Sequence, residues 1–174
     1  STYDAAPAQQ TRVDAVVQEN APLLEKCIGP ERRLELDTAA GDLRCVLDRT
    51  QLEQLLLNMV VNARDATPVG GVIRVRTGEE RLLTPRRMHD GMLDAGRYIR
   101  VSVEDNGAGI APDVLPHILE PFFTTKRERG GTGIGLATVH QIVVGVGGEL
   151  AIASEVGVGT TFTVTLSGNL KGGL

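Results

Sequence analysis

Thr50-Gln-Leu-Glu-Gln-Leu-Leu-Leu-Asn58-Met-Val-Val-Asn62-Ala-Arg-Asp-Ala66 is the most regular stretch of the chain. Leu52, Leu55, Leu56, Met59, Val60 and Ala63 recur at i, i+3, i+4, i+7, i+8 and i+11, which predicts a helix with one face committed to a core. Thr50 and Glu53 have the spacing of a capping box, and Pro68, Gly70 and Gly71 end the run. Upstream, the apolar pattern from Val13 to Ile28 predicts a second helix, irregular at Pro22 and stopped by Gly29-Pro30. Between them, alternating runs at 33–38 and 43–48 read as a strand pair.

Downstream of the central helix, 72–77 and 99–105 read as strands joined by a polar, Arg-rich connection over 78–97, too long for a simple turn. Residues 106–132 read as a long connection with at most one short helix near 113–119. A helix is predicted over 133–144, then strands over 149–153 and 160–166. Strands and helices in this order predict an α+β fold: a two-layer α/β sandwich, a mixed sheet with helices on one face. Residues 11–167 form the expected domain, flanked by linkers at 1–10 and 168–174.

The chain of 174 residues is long enough for one hydrophobic core, and its net charge of −4 argues against nucleic acid as a partner. No run is long and apolar enough for a membrane span and no signal-peptide pattern opens the chain, so the expected setting is cytoplasmic. Cys27 and Cys45 form no CxxC pair and read as buried small hydrophobes. Glycine is abundant, at 21 residues, and much of it falls between 107 and 159, where it suits loops that let backbone approach a ligand.

Three segments carry chemistry. Asn58 and Asn62, with Asp65 three residues on, project from one side of the central helix; their amides can offer oxygens to a hard cation without repelling phosphate, or simply form a solvated face. Asp105 ends a strand and runs into Asn106-Gly107-Ala108-Gly109-Ile110, which suits either a carboxylate accepting from an exocyclic amine or a plain Asx turn. Gly130-Gly131-Thr132-Gly133-Ile134-Gly135 opens a helix, where free N–H groups and the helix dipole favour an anion. Before it, Pro121-Phe122-Phe123-Thr124-Thr125-Lys126 sets a lysine beside two phenylalanines. A fourth cluster, Arg97, Tyr98 and Arg100 with Arg81, Arg86 and Arg87, allows an exposed ring and guanidinium forks to take a second nucleotide, a regulatory cyclic dinucleotide; the alternative is a solvated loop with Tyr98 packed at a strand start.

In this order the segments resemble the GHKL ATPases, and within them the catalytic domain of sensor histidine kinases, hybrid kinases such as the cell-cycle hybrid kinase included. Residues 54–66 resemble the N box, 105–110 the first glycine box, 121–126 the F box, 131–136 the second glycine box and 157–162 the third. The resemblance implies a Bergerat fold that binds ATP and Mg2+, with Asn62 the metal ligand, Asn58 beside the γ-phosphate and Asp105 reading adenine N6. Gly107, Gly109 and Ile110 would shape the adenine pocket, supported by Thr160, with Asp65 and Ala66 at its edge. Phe122, Phe123, Thr125, Lys126, Gly131, Thr132, Gly133, Ile134, Gly135 and Leu136 would surround the phosphates beneath a lid at 124–130. Kinases of this group often carry Lys where Asp65 stands, so the phosphate charge would fall to Lys126, Arg64, Arg127 or Arg129. The implied partners are a separate dimerisation domain bearing the phosphoacceptor histidine and a downstream receiver domain, in a kinase that can be membrane-anchored.

Overall fold

The computed structural model describes residues 10–88, 91–119 and 135–170. The chain opens with β1 (Thr11–Arg12), α1 (Val13–Glu19), α2 (Ala21–Ile28), β2 (Arg33–Asp37) and β3 (Arg44–Cys45), followed by the central helix α3 (Arg49–Ala66). Then come β4 (Val72–Leu82), the short strands β5 (Arg86–Met88) and β6 (Gly91–Leu93), and β7 (Gly96–Asp105). A 3-10 turn at Leu115–His117, α4 (Gly135–Gly145), β8 (Glu149–Glu155) and β9 (Gly159–Asn169) complete it.

The sheet runs β1-β3-β9-β7-β4-β2, with β8 also paired to β9; β2 and β4 are parallel and the other pairs antiparallel, so the sheet is mixed. Its inner face carries Ile73, Val75, Ile99, Val101, Val103, Phe162, Val164 and Leu166, all at most 1% exposed. The α3 stripe of Leu52, Leu55, Leu56, Met59, Val60 and Ala63 packs on it, with α1, α2 and α4 around that helix. Burial of this apolar surface is the main stabilising term.

Several local expectations change. The capping box on α3 is Asp48 with Gln51: Gln51 N–H donates to Asp48 Oδ1 at 2.8 Å and Asp48 N–H to Gln51 Oε1 at 3.2 Å. Glu53 instead takes Arg49 Nε at 2.6 Å. The first helix breaks at Asn20 rather than at Pro22, which sits in the first turn of α2 where a missing N–H costs nothing. Residues 33–38 and 43–48 do not pair with each other: β2 lies parallel to β4, and β3 bridges β1 and β9. Cys45 is buried as expected, but Cys27 is only half-buried.

The largest change concerns 78–97. Most of it is strand: β4 and β7 stay paired out to Leu82 and Gly96, and β5–β6 form a separate two-stranded ribbon. Alternation along β7 puts Tyr98 on the outer face of the sheet, yet it is only 6% exposed, and its hydroxyl donates to Asp94 O at 2.6 Å. The ribbon is therefore a strap over that face. Arg86 ties it down, reaching Glu80 at 2.9 Å and Glu149 at 3.0 Å. Across β2, β4 and the end of β7 the outer face carries a charge ladder in which the Arg74 guanidinium beside Glu35 holds that carboxyl below its ordinary range.

Candidate functional site

Along β7 and β9 the inner face of the sheet is apolar until its last row. Strand register sets Val75, Val103, Phe162 and Ile152 side by side across β4, β7, β9 and β8; the next row reads Ile73, Asp105, Thr160, Ser154. Asp105 and Thr160 are each only 4% exposed. Burying such groups is costly unless they are hydrogen-bonded. Asp105 Oδ1 accepts from Gly107 N–H at 2.8 Å, Ile110 N–H donates to Ser154 Oγ at 2.7 Å, and Ser154 Oγ lies 2.8 Å from Thr160 Oγ1.

These bonds fold residues 106–110 back onto the sheet. Asn106 Oδ1 accepts from Val72 N–H at 2.9 Å, and Gly157 N–H donates to Ala108 O at 2.8 Å. A side chain at Gly107 would collide with the Ala66 carbonyl at the end of α3, and one at Gly109, whose φ is +77°, with the Glu155 carbonyl. Both glycines thus serve close approach of the chain to itself, where the sequence pattern suggests approach of a ligand. The loop is wedged between the end of α3 and the β8–β9 turn, beside the polar row of Asp105, Thr160 and Ser154.

On α3, Asn58 and Asn62 are half-buried beside the core stripe, and Ala66 is one further turn along. Ala66 meets Gly107; a Cβ built at Gly135, the first residue of α4, would lie 4.0 Å from Asn58 Cβ. One helix face therefore connects the Asp105 loop to the N-terminus of α4 over two turns, roughly 12 Å. A helix start in general offers free N–H groups and the positive end of a dipole to an anion, and Leu136 beside Gly135 is half-buried against the core. The arrangement suits an elongated ligand with a polar, planar end at Asp105 and an anionic end at α4. The donor set also fits a hard cation between them, since amide oxygens at Asn58 and Asn62 add no charge against an anion.

Asp65 is exposed and pairs with Arg64 at 3.0 Å. Arg64 also donates to Cys27 O at 3.1 Å, so it is spent on the end of α2 instead of serving the anionic end. Phe122, Phe123, Thr125, Lys126, Gly131, Thr132, Gly133 and Ile134, the expected lid at 124–130, and Arg127 and Arg129 lie outside the described residues. The second site at Tyr98 is corrected. Its ring is only 6% exposed, Arg97 faces Glu79 at 3.5 Å and Arg100 faces Glu80 at 3.6 Å, so among the described residues Tyr98 offers no open aromatic face for a nucleotide. Ser154 escaped sequence reasoning; its one signal is a hydroxyl where the alternation Leu150, Ile152 calls for a third apolar residue.

Residues 47–169 match the family described as histidine kinase-, DNA gyrase B- and HSP90-like ATPases. The sensor kinase CckA of Brucella abortus (strain 2308) is 42% identical over 144 residues, covering 83% of this chain and 15% of that protein. The sensor histidine kinase ZraS of Escherichia coli (strain K12) is 40% identical over 141 residues, covering 80% of this chain and 27% of its own length. Among solved structures, a nucleotide-free form of the catalytic domain of histidine kinase ThkA is similar with a TM-score of 0.72 and 25% identity, covering 91% of this chain and 94% of that one. The chain thus spans 15% and 27% of the two curated relatives.

Proposed function

The chain belongs to the histidine kinase-, DNA gyrase B- and HSP90-like ATPase family, and from that premise we propose that it is the catalytic domain of a sensor histidine kinase, binding Mg-ATP and passing the γ-phosphate to a histidine on a separate dimerisation domain. The observation that carries this reading is the polar row of Asp105, Thr160 and Ser154 at one end of a helix face whose other end meets the N-terminus of α4.

In this reading Asp105, an acceptor-only group when ionised, takes the adenine N6 amine, and the loop wedged on α3 closes over the base. Asn62, with Asn58 beside it, would hold magnesium, which when bound offsets charge on the β- and γ-phosphates. The N–H groups at the start of α4, with the glycines at 131, 133 and 135 and Lys126, stabilise the charge that develops as the acceptor imidazole nitrogen attacks phosphorus in line and ADP leaves. Catalysis here is positioning and electrostatics, because the nucleophile comes from another domain. Asn58 occupies the place where hydrolytic branches of the resembled superfamily carry a glutamate base, and an amide cannot activate water in that way.

The expected boundary at 167 falls inside β9, whose Gly168 and Asn169 pair with β3, so we take 11–169 as the domain proper, with the residues on either side as connections, and a receiver domain as the downstream partner. The expected setting is the cytoplasm; among the described residues no helix is long and apolar enough to cross a membrane. The test uses γ-labelled ATP with this domain alone and together with the dimerisation domain. Label on the acceptor histidine only when both are present supports the proposal. Release of labelled phosphate by this domain alone would indicate a hydrolysing machine, and binding with neither outcome a regulatory module.

A further inference from the structure

The hydroxyl of Ser154 stands at the crossing of three contacts. It accepts from Ile110 N–H at 2.7 Å, lies 2.8 Å from Thr160 Oγ1, and reaches Gly159 O at 3.2 Å. A serine hydroxyl has one proton to give. Given to Gly159 O, it leaves Thr160 to donate back to Ser154 and to show the ligand only lone pairs. Given to Thr160 Oγ1, it frees the Thr160 proton for the ligand. The Ile110 N–H takes one of the two lone pairs of Ser154, and the 2.8 Å contact to Thr160 can be made in either arrangement; at 3.2 Å the Gly159 carbonyl lies beyond the ordinary O–H···O range and holds the Ser154 proton only weakly, which favours the second arrangement.

We propose that Ser154 is a positioning residue for base selection: it fixes Thr160 as a hydrogen-bond donor toward the base, directly or through one water, and locks the 106–110 loop in the same act. This rests on the reading of the site as a nucleotide site. Adenine offers an acceptor at N1 next to the N6 donor, so a floor of carboxylate acceptor and hydroxyl donor matches it. Hypoxanthine reverses both, with a donor at N1 and an acceptor at C6, and meets a mismatch at each position. Asp105 alone would leave half of that discrimination unmade. Ser154 acts through Thr160 and Ile110 and does not itself reach the base.

The test uses Ser154→Thr and Ser154→Val, alike in shape and different in the hydroxyl, with Ser154→Ala as a smaller check. Calorimetry with Mg2+ measures binding of ATP, inosine triphosphate and inorganic tripolyphosphate to the whole domain. Ser154→Thr should keep the parent preference for ATP over inosine triphosphate. Ser154→Val and Ser154→Ala should each lose about tenfold in ATP affinity, the effect of leaving buried partners unmet, with a smaller change for inosine triphosphate and none for tripolyphosphate. An unchanged ratio of ATP to inosine triphosphate in both hydroxyl-free variants overturns the proposal, and so does an equal loss on all three ligands, which would mark a purely structural role. A parent domain that binds none of the three, or prefers inosine triphosphate, overturns the nucleotide reading itself and this proposal with it.

Discussion

Two carboxylates are buried, Asp105 at 4% exposure on the last inner row of the sheet and Asp14 at 5% on α1, against Thr77 in the middle of β4. Asp14 binds the chain to itself over long separations: Oδ2 accepts from Gly41 N–H at 2.7 Å and Oδ1 from the Thr77 hydroxyl at 2.6 Å, joining α1 to the β2–β3 turn and to β4. Thr77 in turn accepts from Ala39 N–H at 2.9 Å. The Oδ1 bond of Asp105 spans two residues, to the glycine loop that follows it. The same group thus serves as a latch in one place and, in the proposed reading, as the floor of a site in the other. Burial alone does not separate the two uses; the reach of the bonds does.

The comparison breaks most visibly at Asp14. Replacing it by Ala leaves the buried Thr77 hydroxyl without that partner, a loss of about 1–3 kcal/mol, while the exposed Gly41 can turn its N–H to water. Chemical denaturation should show that loss, while ATP affinity per folded molecule stays at the parent value. Weakened ATP binding in the folded Asp14→Ala domain would mean that the two regions are coupled. Asp105→Asn is the converse. The amide can turn a donor toward N6, and losing a charge-assisted bond weakens ATP binding by roughly 10- to 100-fold. Its unfolding midpoint should move far less than that of Asp14→Ala, and a comparable destabilisation would make Asp105 a second latch.

How much of this was legible beforehand follows from the range of each interaction. The α3 stripe, the positions of Asn58 and Asn62 and the strand leading into Asp105 depend on local periodicity, and they stand as the pattern predicts. The cap shifted from Thr50 and Glu53 to Asp48 and Gln51 because two signals of equal spacing overlap there, and Asp48 binds the Gln51 N–H. Residues 33–38 and 43–48 look like a hairpin because they are neighbours in sequence, but their partners lie on β4, β1 and β9, pairings no local pattern encodes. Ser154 reads as one more loop-side serine until strand register sets it beside Thr160. Tyr98 obeys the predicted alternation and is still covered, because the strap that hides it comes from the stretch read as a loose connection.

The region around the latch can also be loosened without mutation. Cys45 on β3 is fully buried, and burial pushes its thiol up to about 11 from an ordinary value of 9.0. A raised folded-state value means that the unfolded chain loses its proton first, so the stabilisation is intact below pH 9 and drains away as pH climbs toward 11. Two units of difference amount to on the order of 2 kcal/mol. Denaturation midpoints measured between pH 8 and pH 11 should fall by about that much, and Cys45→Ala should start lower and fall less. Parallel decline in both proteins would place the alkaline sensitivity elsewhere.

The smallest effect is expected where neither carboxylate is involved, under the strap on the outer face. The Tyr98 hydroxyl donates to Asp94 O at 2.6 Å, and burial is the main cause that raises its ionisation above the ordinary value. Tyr98→Phe keeps the covered ring and removes one hydrogen bond, which is worth about 1 kcal/mol. The loss should be local, because Arg86 still pins the strap to Glu80 and Glu149. Hydrogen exchange should therefore speed up at 91–96 while the amides of β7 beyond Val101 keep their protection, and ATP binding should not change, since the Asp105 row lies on the opposite face and at the far end of the same strand. Faster exchange reaching Val103 and Asp105, or altered ATP affinity, would show that the strap communicates with the site through β7, and the outer face would then join the comparison as a third, coupled region.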